Sequence, residues 1–170
     1  MERGTLLTGG ARPAVRLERY LNDPPLVVWR AITDREQLRS WFPCDVVVAG
    51  GHWVVGAVIT FHFPPEVIDI TLTGEVLVVD EPSTLAFSWG EENLRFELSA
   101  KDSGTLLVLI DELPAENAAR NAVGWETCLD RLVGLDPAPN GWQPRFEEYV
   151  AIFEPILGTQ DGPPAGYKGG

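Results

Sequence analysis

The sequence is poor in cysteine, histidine and positive charge, and it contains no long apolar run. Its 170 residues include two cysteines and two histidines, and 13 Lys and Arg face 25 Asp and Glu, for a net charge of −12. Two cysteines cannot form a disulfide scaffold, and no segment approaches the roughly 18 apolar residues of a membrane-spanning helix. A strongly negative chain also lacks the attraction that nucleic acid or an anionic membrane requires. The sequence therefore predicts neither of these partners.

The N-terminal segment lacks the apolar core of a secretory signal. Unpaired thiols are typical of a reducing compartment, so we expect a cytoplasmic protein in which Cys44 and Cys128 are free. Cys128 follows Trp125 on a predicted helix and is expected to be a buried, unreactive thiol. Cys44 follows Pro43 in a predicted loop and is expected to be more exposed.

The length and the 45% content of hydrophobic residues are those of one globular domain. Residues 1–13 and 159–170 are rich in glycine and have little apolar surface to bury. We therefore expect a flexible N-terminal arm at 1–13 and a disordered tail at 159–170. The domain itself is expected to span residues 14–158.

The apolar pattern of this domain predicts strands followed by helices. The predicted elements are a strand at 15–21, short helices at 24–32 and 34–42, strands at 52–63, 70–80, 84–89, 94–101 and 105–112, a further short strand at 46–48, a helix at about 116–135 and a last helix opened by Pro144 and ended by Pro155. Apolar residues recur every three or four positions along the long helix, which is the spacing of one helix face. The order indicates an α+β fold with six or seven antiparallel strands and helices on one face.

Aromatic residues provide the best candidate for a binding site. They come from the second helix, several strands and the long helix, and alternate residues of a strand share a face. Two compatible interpretations stay open: an ordinary core, and a cavity wall for an apolar small molecule. The residues expected to line that cavity are Trp41, Phe61, Phe63, Glu75, Phe87, Trp89, Phe96, Trp125 and Leu129.

Polar candidates are fewer. Glu75 lies in a strand whose two faces are equally apolar, so the pattern leaves its direction open; inside the domain it would be a candidate acid or base. His52 and His62 are about 33 Å apart on an extended strand and are not expected to share a metal. The sequence contains no nucleophile elbow, phosphate-binding loop or metal-ligand motif. We therefore expect no catalytic residue, metal or cofactor.

Four segments resemble the SRPBCC, or START-like, superfamily. They are RLERYLNDPPLVVWRAITDREQLRSWF at 16–42, GEV at 74–76 with DEP at 80–82, LAFSW at 85–89 and GWETCL at 124–129. The chain is most similar to the branch called activator of heat-shock protein 90 ATPase homologue 1-like, over about residues 14–158. The resemblance implies a helix-grip fold, in which a curved antiparallel sheet wraps around a long C-terminal helix and often encloses an apolar cavity.

Three functions are compatible with these observations. We favour a module without catalytic machinery that binds an apolar or aromatic small molecule. The family branch implies an alternative, a protein-interaction domain such as a chaperone co-factor. The superfamily also contains polyketide cyclases and dehydratases, and an enzyme of that kind would need Glu75, His62 or Arg95 to point into the cavity.

Overall fold

Eight strands form one antiparallel sheet within residues 3–136 and 141–167, which the computed structural model describes. The strands are β1 (Thr5–Leu7), β2 (Ala14–Leu21), β3 (Asp45–Val48), β4 (Val58–His62), β5 (Thr71–Asp80), β6 (Thr84–Trp89), β7 (Glu92–Lys101) and β8 (Gly104–Glu112), in the spatial order β1-β2-β8-β7-β6-β5-β4-β3. The helices are α1 (Pro25–Thr33), α2 (Arg35–Leu38), α3 (Ala118–Leu132) and α4 (Trp142–Leu157). This architecture confirms the predicted helix-grip fold. None of these helices is long and apolar enough to cross a membrane.

Helix α3 packs its apolar face into the core, as its periodicity predicts. Ala118, Ala122, Trp125 and Leu129 are all buried. The buried residues in the first turns of α3 are small alanines, and the larger Trp125 follows in the next turns. The helix thus fills the space beside the sheet with side chains of different size. The core therefore lies between the inner face of the sheet and the helices that cover it.

The sheet has one strand more than the upper limit expected from the sequence. Strand β1 lies in the segment predicted to be a flexible arm, and it pairs with β2 through registers such as Leu7 with Ala14. The backbone N–H of Gly4 also donates to the Tyr149 hydroxyl at 2.6 Å. The prediction of a flexible arm is therefore wrong for residues 4–7, because backbone pairing orders a segment that buries few side chains.

Two elements are shorter than the sequence pattern indicates. Strand β4 begins at Val58 because Gly56, at a φ of 91°, turns the chain and donates its N–H to Val76. Helix α2 ends at Leu38, four residues before the predicted end. Beyond Leu38 the chain continues as turns, in which the N–H groups of Trp41 and Phe42 both donate to the Leu38 carbonyl. The chain turns here and buries Phe42 in the core.

Helix α4 is attached to α3 through buried polar groups. The Tyr149 hydroxyl donates to Glu126 Oε1, and Arg145 Nη1 donates to Glu126 Oε2 at 3.0 Å. Glu126 is fully buried, so these contacts satisfy a carboxylate that would otherwise be costly to bury. The helix continues past Pro155 to Leu157, contrary to the predicted end. The loop that the sequence predicts before α4 lies partly outside the described residues.

The chain after α4 returns to the start of α3. Gln160 Oε1 accepts a hydrogen bond from the Ala119 N–H at 2.9 Å, and its Nε2 donates to the Ala115 carbonyl at 2.9 Å. Gln160 is only 9% exposed. It satisfies a backbone donor that the first turn of a helix leaves free. The prediction of a disordered tail from residue 159 is therefore wrong at Gln160.

Candidate functional site

The predicted aromatic residues come together on the inner face of the sheet. Their ring centroids lie 5.8 Å apart for Phe61 and Phe87, 6.1 Å for Phe87 and Phe96, and 5.3 Å for Trp89 and Trp125. Most of the predicted residues are buried, while Phe63 and Trp89 are half-buried at one edge. We call the set the aromatic cluster; it comprises Trp41, Phe42, Trp53, Phe61, Phe63, Phe87, Trp89, Phe96 and Trp125.

Phe42 lies at the centre of this cluster, and the sequence analysis did not select it. Its ring centroid is 5.5 Å from that of Trp125, 6.2 Å from that of Trp89 and 6.4 Å from that of Phe87. The sequence analysis includes it only as the last residue of the predicted helix at 34–42. Its large apolar side chain beside Trp41 was the available signal, because phenylalanine is among the residues most often buried.

The cluster fills most of the space in which a cavity was expected. At its edge a small opening of about 90 Å³ lies between the tip of the β6–β7 hairpin and α3. It is lined by Pro43, Trp89, Asn121, Gly124, Trp125 and Cys128. Of the predicted lining residues, Trp89 and Trp125 border this opening, whereas Phe61, Phe87, Phe96 and Leu129 are buried in the packed core behind it.

A second, larger pocket of about 220 Å³ lies on another side of the domain, beside α1, α2 and the end of α3. Trp41 borders it, but the Trp41 indole N–H is already bonded to the Ala31 carbonyl at 2.9 Å. Its other lining residues are Leu21, Asp23, Val27, Val28, Ala31, Gln37, Ser40 and Leu132. Only one ring of the aromatic cluster reaches this pocket, so it is separate from the opening beside Trp89.

A buried polar network lies directly behind the small opening. Asp111 is fully buried, and its Oδ2 accepts hydrogen bonds from Trp125 Nε1 at 2.8 Å and Asn121 Nδ2 at 3.1 Å. Asn121 Nδ2 also donates to Glu92 Oε1 at 2.5 Å. One amide nitrogen therefore bridges two carboxyl groups, and two of the residues involved also line the opening.

Burial raises the pKa of both carboxyl groups. Burial raises the pKa of Asp111 well above its usual range, and the neighbouring Glu92 carboxyl raises it further. Burial also raises the pKa of Glu92, against hydrogen bonds from Asp111 and Asn121 that lower it. Asp111 Oδ1 has no hydrogen-bond partner within the described residues. Burial and the neighbouring carboxyl group therefore favour the protonated form of Asp111, and the two groups titrate as a coupled pair.

The sequence analysis missed this carboxyl pair, although strand alternation contains a signal for it. Asp111 continues the inward series of Leu107 and Leu109 along β8, and Glu92 starts the inward series of Leu94 on β7. The period of two along a strand puts both carboxyls on the inner face. What the pattern does not show is that the two strands and α3 bring them together.

The polar residues singled out from the sequence lie elsewhere. Glu75 is exposed on β5, so its place among the cavity-lining residues is corrected. His52, His62 and Arg95 are also exposed. The cyclase-like interpretation therefore loses the three groups on which the sequence based it. Within residues 3–136 and 141–167, no group of histidine, cysteine and carboxylate side chains is arranged to hold a metal.

Both cysteines are free and buried, which corrects the expected exposure of Cys44. Burial raises the pKa of the Cys44 thiol above its usual range, partly offset by a contact with the Trp89 indole N–H. Burial also raises the pKa of Cys128, to about 12. Neither thiol is therefore ionised near neutral pH, so both behave as small apolar groups.

Comparisons with known proteins agree with this fold. The sequence over residues 22–135 matches the family described as activator of Hsp90 ATPase homolog 1-like protein. No curated protein is significantly similar to the chain. Many solved protein chains are significantly similar in structure, and three that share its fold are each at most 23% identical in sequence.

The first is a conserved protein of unknown function, EF2215 from Enterococcus faecalis, with 23% identity over 90% of this chain and 91% of that one, at a TM-score of 0.73. The second is CalU16 from Micromonospora echinospora, with 21% identity over 91% of this chain and 94% of that one, at a TM-score of 0.66. The third is DynU16, described as a putative protein in the dynemicin biosynthetic locus; its identity is 23% over 71% of this chain and 45% of that one, at a TM-score of 0.61.

The family match covers more than half of the chain and spans most of the sheet and all of α3. The curved antiparallel sheet and the long helix α3 are those that the resemblance to the superfamily implies. This chain belongs to the activator of Hsp90 ATPase homolog 1-like family of START-like proteins.

Proposed function

We propose that this domain binds an apolar or aromatic small molecule at the opening between the β6–β7 hairpin and α3. The observation that carries the proposal is the position of Trp89 and Trp125, which border the opening and continue into the aromatic cluster. Two adjoining indole rings at a concave site offer a large apolar surface to a ligand ring. Gly124 adds no side chain at this wall of α3.

The size of the opening defines how such a ligand fits. Pockets that enclose a drug-sized molecule measure roughly 300–1,000 Å³, whereas this opening measures about 90 Å³. We therefore propose that it receives one ring or a short apolar end, while the rest of the ligand lies outside. The similarity to DynU16, which is assigned to a biosynthetic locus, supports a small-molecule ligand. Two buried free thiols are compatible with the cytoplasmic location that we propose.

The test uses Gly124→Leu to fill the opening. Gly124 lines the opening, and a Cβ added there meets nothing within 4 Å, so a larger side chain can begin at this wall without a clash at its Cβ. The matched control is Ala151→Leu, which adds the same side chain at an exposed position of α4. The probe is N-phenyl-1-naphthylamine, an uncharged fluorophore that accepts excitation energy from tryptophan.

We expect saturable binding of the probe to the native protein, at least a tenfold loss of affinity in Gly124→Leu, and no change in Ala151→Leu. Circular dichroism and the urea midpoint establish that both variants are folded. Equal binding by the parent protein and Gly124→Leu would place the probe elsewhere and contradict the proposal. Stimulation of a chaperone ATPase by a protein that binds no such probe would instead favour the co-chaperone interpretation.

A further inference from the structure

The wall of the opening is hydrogen-bonded to the buried carboxyl group of Asp111. Trp125, which lines the opening, donates its indole N–H to Asp111 Oδ2 at 2.8 Å. Asn121, which also lines the opening, donates to the same oxygen at 3.1 Å. The surface that the opening exposes is apolar, and Asp111 is not part of it. Asp111 therefore lies one side chain away from the opening, behind an apolar wall.

The ionised form of Asp111 would lack part of the solvation that a carboxylate needs. Its Oδ2 atom accepts the two hydrogen bonds from the wall, whereas its Oδ1 atom has no hydrogen-bond partner within residues 3–136 and 141–167. Asp111 is fully buried, and a buried charge with too few donors is costly. The ionised form thus depends on the polarity of its surroundings much more than the neutral form does.

The groups around the carboxyl pair favour a proton on Asp111 over one on Glu92. Burial raises the pKa of Asp111, and the Glu92 carboxyl raises it further. Burial also raises the pKa of Glu92, but the positive charges of Arg120 on α3 and of Arg12 between β1 and β2 partly offset this rise. Arg12 also pairs with Glu112. The sheet neighbours of the pair carry no charge; they are Val15 on β2, Trp89 on β6 and Leu94 on β7.

We propose that the opening is a proton-linked site, which binds an uncharged apolar ligand more tightly while Asp111 is protonated than after Asp111 has ionised. This inference rests on the proposed function and adds regulation to the same site. A ligand replaces water in the opening with an apolar group, one side chain away from Asp111. That change disfavours the ionised carboxylate more than the neutral carboxyl group. Because linkage is reciprocal, ionisation of Asp111 weakens ligand binding by the same factor.

The affinity for the ligand should therefore be highest at low pH. It decreases as the pH rises through the pKa of Asp111 in the free protein, and it becomes constant above the higher pKa of Asp111 in the complex. Between these two values binding takes up a fraction of one proton, so the affinity changes by at most about tenfold per pH unit. If the opening and the carboxyl pair were independent, the affinity would be the same at every pH at which the protein is folded.

The experiment measures the affinity for N-phenyl-1-naphthylamine between about pH 5 and pH 9, a range in which the probe stays uncharged. We expect the affinity to fall by about fivefold to tenfold across this range, a typical coupling between two sites. Asp111→Asn has a neutral amide in place of the carboxyl group, so it should bind the probe equally well at every pH. The matched control Glu97→Gln removes a carboxyl group that is 45% exposed on β7, and it should keep the full pH dependence.

Two further measurements do not require that Asp111→Asn folds. Glu92→Gln removes the negative charge that raises the pKa of Asp111, so the decrease in probe affinity should move to lower pH. Gly124→Leu adds an apolar side chain at the opening without any probe. NMR of the carboxyl carbons should then show that Asp111 titrates at higher pH than in the parent protein. Ala151→Leu, at its exposed position, should leave this titration unchanged.

Probe binding that is independent of pH in the parent protein would overturn the inference and leave the proposed function intact. A pH dependence that persists in folded Asp111→Asn would also overturn it, because another group would then be responsible. An unchanged titration of Asp111 in folded Gly124→Leu would have the same consequence. The absence of probe binding at every pH would instead contradict the proposed function, and this inference with it.

Discussion

Phe42→Ala tests whether the aromatic cluster is organised around its central ring. Phe42 is 5% exposed, and its ring lies beside those of Phe61, Phe87, Trp89 and Trp125. Truncation of a buried phenylalanine to alanine costs about 3–5 kcal/mol, because transfer energy is lost and a void remains. The tilted and stacked contacts with neighbouring rings add to this loss of stability, beyond the effect of buried area. Against a total stability of about 5–15 kcal/mol, the variant should be marginally folded.

The matched control is Phe63→Ala, which removes the same side chain from the edge of the same cluster. Phe63 is half-buried and stacks on Trp89 at 6.0 Å, so its truncation should cost about 1 kcal/mol. Urea denaturation followed by far-ultraviolet circular dichroism gives both free energies of unfolding. Costs for Phe42→Ala and Phe63→Ala that agree within about 0.5 kcal/mol, which is about half the net contribution of one hydrogen bond, would refute a central role for Phe42.

Three further changes test the polar contacts. The folded state raises the pKa of Asp111, so folding takes up a proton, and the contribution of this group to stability is lost as the pH rises from the ordinary carboxyl range through the raised pKa. The free energy of unfolding should therefore fall with pH by at most about 1.4 kcal/mol per pH unit per proton. Asp111→Asn should flatten this dependence, as measured by urea denaturation between pH 5 and 8. An identical pH profile in the variant would argue against a shared proton. Gln160→Ala should lower the free energy of unfolding by about 1 kcal/mol, because the first turn of α3 loses its cap, and an unchanged urea midpoint would contradict this. Tyr149→Phe removes the hydroxyl that donates to Glu126, and it should lower the free energy of unfolding by about 1–3 kcal/mol, measured by thermal unfolding. The control Tyr167→Phe, at an exposed position, should leave the melting temperature unchanged.

The elements that the sequence predicted well are those with a regular apolar period. The alternation of Leu94, Phe96 and Leu98 predicted an inward-facing strand, and β7 has these residues buried. The spacing of Trp125 and Leu129 likewise predicted the buried face of α3. Such periods follow from backbone geometry, which is the same wherever the element packs. Segments ordered by backbone hydrogen bonds, such as β1, have no comparable pattern of side chains.

Tertiary structure decided the chemistry of the candidate site. Periodicity could place Glu92 and Asp111 on the inner face of their strands. Only the pairing of β7 with β8 and the packing of α3 bring both carboxyl groups to Asn121. The exposed position of Glu75 likewise depends on the β5 register beside its bulge, because both faces of that strand are apolar. The amino-acid sequence thus determined the fold and the family through patterns that each segment carries alone. The opening and the buried polar network behind it required contacts between segments far apart in the chain, and no local pattern encodes those distances.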